Sequence, residues 1–231
     1  MLIWGMVAAG GVPCAGALSL EKVLEETEAR YAALEAFTAD FVQKTTSAAA
    51  QTMATEARGK LYYQKPRKMC WKYEAPEKQT FIIDGDHAWL HVPEENQISL
   101  FQADVFLASP VAKTFFDGVV ELGKHFRVVL DGDDSTARLA ALRLTPKKED
   151  PQVKSLRLWI DLQSYRIVGV ETRDALGNTN RLEIRDQKEA RRLDPRLFRF
   201  EAPAGTVVLD SDGREMTPSE VEKVQKALSR K

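Results

Sequence analysis

The sequence predicts an α+β fold built on one curved antiparallel sheet of about eleven strands, and three observations carry that reading. From Gly59 to Pro93 the chain runs GKLYYQKPRKMCWKYEAPEKQTFIIDGDHAWLHVP, short alternating segments punctuated by Lys65-Pro66, Ala75-Pro76 and Asp84-Gly85. Further alternating segments follow from Phe126 to Arg185 with little between them but turn residues. Helical periodicity is confined to three pieces, and strands separated by so little helix pair with antiparallel neighbours.

In chain order, Ser19 is a plausible N-cap for a helix in which Leu20, Val23, Leu24, Thr27, Tyr31 and Leu34 recur at helical spacing. The period then switches, with Phe37, Ala39 and Phe41 alternating against Thr38, Asp40 and Val42, so a strand is expected to Gln43. Ser47 to Ala54 is small and polar and reads as a loop. In the meander, period two sets Met69, Trp71 and Tyr73 on one face and Cys70 and Lys72 on the other. Pro66 and Pro76 bound that run where no ladder donor is needed.

Gln97 to Phe101 is a further strand, after which Asp104 to Phe116 abandons alternation and Ser109-Pro110 reads as a helix opening. Strands are expected at 126–130, 138–144, 156–162, 167–173 and 181–185, joined by Asp131-Gly132, Gln163-Ser164 and Gly177-Asn178. Phe198-Arg199-Phe200 alternates toward a last strand at Thr206 to Leu209. Thr217-Pro218-Ser219-Glu220 matches a capping box ahead of a short surface helix with Val221, Val224 and Leu228 on one stripe.

A chain of 231 residues, 44% hydrophobic, can bury one sizeable core. Lys and Arg number 33 against 34 Asp and Glu, so the chain lacks the basic excess that a phosphate backbone requires, and a nucleic-acid partner is not expected. No charged residue precedes Glu21, and Ala15-Gly16-Ala17 supplies the small residues of a cleavage site. The expected organisation is a signal peptide at 1–17, one domain at 18–210 and a tail with a short helix at 211–231. The alternative for the head is a membrane anchor, but its four glycines and Pro13 suit a spanning helix poorly. Pro13 argues against lipidation of Cys14. Cys70 is then alone, a small apolar side chain on the back of its strand.

Residues that could carry out catalysis or hold a metal are not brought together by spacing. His87 and His91 on one strand are about 13 Å apart and cannot grip one ion, and His125 has no acidic or cysteine neighbour at ligand spacing. Asp210-Ser211-Asp212-Gly213 fails as a calcium loop because its first and twelfth positions would be Val208 and Ser219. No catalytic residue, cofactor or metal is expected. What stands out is a surplus of large apolar side chains, Trp71, Tyr73, Phe81, Trp89, Phe106, Phe115, Phe116 and Trp159. They fit an ordinary filled core or a concave sheet that keeps an apolar cavity under helices.

The chain resembles the LolA family of periplasmic lipoprotein carriers. The resemblance rests on Phe37-x-Ala39-Asp40-Phe41-x-Gln43, Gly59-x-Leu61, Lys65-Pro66 followed by Trp71-x-Tyr73, Pro76, Asp84-Gly85 with Trp89 and Pro93, the helical Ser109-Pro110 region, and Leu193-Asp194-Pro195 before Phe198-x-Phe200, Pro203 and Gly205. It implies an incomplete, half β-barrel under a helical lid, working in the periplasm as a monomer. The apolar interior would receive the acyl chains of outer-membrane lipoproteins from an inner-membrane ABC transporter complex and pass them to an outer-membrane acceptor. Met69, Trp71, Tyr73 and Trp89 are expected to line the cavity, with Val23, Leu24, Phe106, Phe115 and Phe116 added from helix stripes. Lys65 stands where the family usually has a lid-holding arginine, so a lid latch of lysine is expected, without the planar fork. The rival reading is a periplasmic lipid-sensing regulatory protein with the same half-barrel.

Overall fold

The computed structural model describes residues 18–50, 54–107, 123–149 and 153–228. Helix α1 (Leu20–Ala33) opens on Ser19, whose side chain accepts from the backbone N–H of Lys22. Strands β1 (Ala36–Thr46), β2 (Ala54–Gln64), β3 (Lys68–Ala75), β4 (Gln79–Ile83), β5 (His87–Val92) and β6 (Gln97–Gln102) follow as an antiparallel meander. Helix α2 (Ala103–Leu107) leads away from it. Strands β7 (Phe126–Leu130), β8 (Leu139–Pro146), β9 (Ser155–Asp161), β10 (Ile167–Arg173) and β11 (Thr179–Ala190) form a second meander. Strand β12 (Val207–Leu209) and helix α3 (Pro218–Leu228) end the described chain.

One pairing joins the two meanders. Strand β1 lies between β2 and β11, giving a single sheet in the order β12-β6-β5-β4-β3-β2-β1-β11-β10-β9-β8-β7. Among the described residues β7 and β12 do not pair with each other, so the sheet is curved but not closed. The class is α+β, with an incomplete barrel carrying few helices.

Three details differ from the sequence reading, and the helix opening expected at Ser109-Pro110 falls outside the described residues. Among the described residues the sheet has twelve strands, and β12 runs parallel to β6 because the chain crosses behind the sheet before joining it. Phe198 closes a 3₁₀ turn (Pro195–Phe198), capped by the Asp194 carboxylate, where alternation suggests a strand. Helix α2 begins at Ala103, ahead of Ser109-Pro110; those two residues, like the head at 1–17, lie outside the described residues. Strand β11 runs to Ala190, well past Arg185, because the long β1 pairs with it through a bulge at Asp186 and Gln187.

Parity along the strands divides the apolar residues between two cores. Facing inward are Phe37, Ala39 and Phe41 of β1, Leu61 and Tyr63 of β2, Leu142 and Leu144 of β8, and Leu156, Leu158 and Ile160 of β9, with α1 laid across them. On the outer face, Cys70, Ile82, Trp89, Ile98 and Leu100 pack beneath Phe198, Phe200 and Val208, with Val221 and Val224 of α3 against them. The reciprocal capping box of α3 is present: Thr217 N–H donates to Glu220 Oε2 at 2.8 Å, and Glu220 N–H to Thr217 Oγ1 at 3.4 Å.

Candidate functional site

The inner wall is organised around Phe41. Gly59 lies opposite it on β2, and the register carries on to Tyr73 on β3. Trp71 and Tyr73 meet the Phe41 ring edge to face, with centroids 4.9 and 5.0 Å away. Met69, the third member of the expected face, is buried deeper and stands opposite Tyr63 and Ile83. Phe106 of α2 joins this wall by packing on Phe81 and Phe101 at 4.8 and 5.2 Å. Val23 and Leu24 of α1 also belong to the inner core, Val23 fully and Leu24 in part.

Trp89 does not line this wall. Its neighbours Ala88 and Leu90 take the inward positions opposite Ile83 and Phe81, so parity sends the indole outward. There it is 2% exposed and meets Phe200 edge to face at 5.2 Å. Cys70 occupies the same outer core, where burial pushes its thiol up to about 12. Phe115 and Phe116 lie outside the described residues.

Helix α1 is fastened at one end. The Lys65 ammonium donates to the carbonyl oxygens of Tyr31 at 2.7 Å and Ala32 at 2.9 Å in the last turn of the helix, where a cation is also favoured by the peptide dipoles. Tyr31 is buried, and its hydroxyl accepts from the backbone N–H of Ile167 at 3.2 Å, next to a bulge in β10. Glu189 holds Arg30 and Arg166 beside it. Toward the other end Leu20, Val23 and Leu24 pack on the inner core, and among the described residues the buried Thr27 hydroxyl has no hydrogen-bond partner.

Beside Trp71 the wall opens into a recess of about 180 Å³ that also takes in Tyr73, Val170 and Leu182. Tyr73 Oη donates to Gln43 Oε1 at 2.8 Å across its mouth, and burial raises the phenol's pKa so that it stays protonated. Phe41, Val170 and Leu182 are absent from the sequence-predicted site. The alternation of Phe37, Ala39 and Phe41 identifies the first, while the other two follow only from the pairing of β10 with β11.

Among the described residues, no three His, Cys, Asp or Glu side chains are gathered in a way that could hold a metal ion, and no helix is long and apolar enough to cross a membrane. Fold and wall together define an incomplete β-barrel with an apolar concave face under an amphipathic helix. The chain belongs to the LolA family: residues 32–201 match the family model described as outer membrane lipoprotein carrier protein LolA. It is 27% identical over 190 residues to the outer-membrane lipoprotein carrier protein of Chromohalobacter salexigens, a match covering 82% of this chain and 87% of that one. Its counterpart in Cupriavidus taiwanensis is 31% identical over 151 residues, 65% of this chain and 69% of the relative. The crystal structure of an uncharacterized conserved protein from Thermus thermophilus shares the fold, with a TM-score of 0.53 at 13% identity over 82% of this chain and 98% of that one.

Proposed function

We propose that this chain is a periplasmic carrier that takes the acyl chains of lipoproteins onto its inner wall and ferries them to the outer membrane. An inner-membrane ABC transporter loads it and an outer-membrane acceptor unloads it. It acts as a monomer, without cofactor or covalent step. The relatives named as outer-membrane lipoprotein carriers support the cargo class. The observation that carries the reading is an apolar wall continuous from β7 to β6, roofed by a helix that Lys65 and the Tyr31 hydroxyl fasten at its C-terminal end.

The energetics give such a carrier its purpose. At about 0.8 kcal/mol per buried CH₂, three chains of about fifteen carbons carry on the order of 35 kcal/mol of transfer cost in water. The recess beside Trp71 alone holds about 180 Å³, below the roughly 300–1,000 Å³ of ligand pockets. Cargo therefore also takes the surface that α1 covers. Met69, Trp71 and Tyr73 form the wall, Val23 and Leu24 the underside of the lid, and Phe106 its flank. Lys65 is the latch.

The test is extraction. The chain, starting at residue 18, is mixed with inner-membrane vesicles bearing an ATP-driven lipoprotein extractor, and the soluble fraction is analysed for a one-to-one complex with triacylated cargo. Failure to solubilise any lipoprotein would reject the carrier.

A further inference from the structure

The inward positions change character together at one end of the wall. On β1 they pass from Phe37, Ala39 and Phe41 to Gln43 and Thr45; on β11, from Ile184 and Leu182 to Asn180. On β10 Val170 gives way to Thr172, and on β4 Ile83 and Phe81 give way to Gln79. Gln43, Thr45, Asn180 and Thr172 are more exposed than the residues they follow, Gln79 is half-buried like Phe81, and all are neutral. The outer face of the same strand ends carries Lys44, Glu171 and Arg181.

The recess beside Trp71 sits on this boundary. Trp71, Val170 and Leu182 form its apolar side, and Gln43, Tyr73, Thr172 and Asn180 its polar side. Glu56 and Glu77 line a neighbouring recess of about 210 Å³ that shares Gln43 and Tyr73 with this one, and neither carboxylate lines the recess beside Trp71. The Tyr73 hydroxyl is given to Gln43 Oε1, which leaves the two amide hydrogens of Gln43 as donors. With the Asn180 amide and the Thr172 hydroxyl, the recess offers hydrogen-bond donors and no charge, next to hydrocarbon.

We propose that this recess is the subsite for the uncharged, carbonyl-rich junction of a lipid-modified cysteine, the esters and amide that join acyl chains to peptide. The assignment rests on the carrier reading and refines it. Ester carbonyls can only accept, so a donor-rich neutral rim complements them, whereas a charged rim would hold its own water. The acyl chains then run from the rim along Trp71, Val170 and Leu182 into the wall. The subsite fixes where a cargo's peptide leaves the carrier, at the open end and away from the Lys65 fastening.

The experiment compares two synthetic ligands on the chain from residue 18: a triacylated cysteinyl peptide with ester-linked chains, and its ether-linked analogue of equal chain length. The variants are Thr172→Val, which keeps the side-chain shape, Asn180→Ala, and the pair combined, each checked for an unchanged melting curve. The wild type binds the ester ligand more tightly than the ether, and the combined variant loses roughly tenfold in ester affinity, about one neutral hydrogen bond per residue, while its ether affinity stays. An ester-to-ether ratio equal in wild type and variants overturns the subsite. Binding of neither ligand by the wild type overturns the carrier reading itself, and the subsite with it.

Discussion

Lys65 and Tyr31 are 34 residues apart in sequence, yet the lysine ammonium donates to the tyrosine's backbone carbonyl at 2.7 Å. Because the Ala32 carbonyl shares that ammonium, one side chain ties down two carbonyls in the last turn of α1, the Tyr31 oxygen also accepting from the Leu34 N–H at 3.3 Å. Removing it takes the ammonium from the Ala32 carbonyl and one of two donors from the Tyr31 carbonyl. Lys65→Ala is expected to weaken α1 docking by about 1–2 kcal/mol, the scale of a charge-assisted hydrogen bond that is partly exposed. Hydrogen exchange along α1 reads this as a roughly tenfold faster opening. Lys65→Arg restores a planar pair of donors and slows both exchange and cargo release; release at the wild-type rate would dispose of the latch.

Trp71 and Trp89 separate binding from stability. Trp89→Ala empties a site in the outer core, where the indole is 2% exposed against Phe200, and is expected to cost about 3–5 kcal/mol of stability. Cargo affinity of the folded fraction stays as it was. Trp71→Ala removes a half-buried wall residue, so melting moves less and affinity for an acylated ligand falls roughly tenfold. Thermal melts and ligand titrations on the two variants check this, and equal losses of affinity would contradict the two-face assignment.

Legibility followed the range of the interactions. The Ser19 cap, the Thr217–Glu220 capping box and the face shared by Met69, Trp71 and Tyr73 involve residues within a few positions of one another, and they read directly from the sequence. Trp89 was misplaced because its face depends on parity counted through two turns, from Trp71 to Phe81 and then to Leu90. Strand β12 read as antiparallel because three residues carry no record of the path behind the sheet. Val170 and Leu182 became wall residues only through the pairing of β10 and β11.

Gly59 marks the closest backbone approach in the wall. A Cβ there would lie 1.9 Å from the Lys72 carbonyl oxygen and 2.9 Å from the Tyr73 Cα, backbone atoms that no rotamer change can move aside. The position adjoins the bulge where β2 and β3 shift register. Gly59→Ala is expected to cost about 3 kcal/mol or more, a fall in Tm of the order of 10 °C for a domain of this size. Circular dichroism melts check it, and a shift within a degree or two would show that the two strands are free to part.

The last turn before α3 should respond to acid. Glu220 accepts from Arg214, from the Thr217 N–H and from the Thr217 hydroxyl, and these bonds, the arginine's first, hold its pKa to about 2 against an ordinary 4.5. In the unfolded chain the carboxyl protonates near the ordinary value, whereas the folded chain resists until about 2. The stabilisation is therefore complete above about pH 4.5, declines between 4.5 and 2, and is absent below. Amide exchange at Val221 and Val224 is expected to quicken across that window as α3 loosens from the outer core. Asp210 shares Arg214 and is also held below its usual value, so Glu220→Gln is the control that isolates one carboxylate. The difference in α3 protection between wild type and Glu220→Gln should shrink steadily from pH 5 toward pH 2; a constant difference would assign the acid response to Asp210 or to another carboxylate.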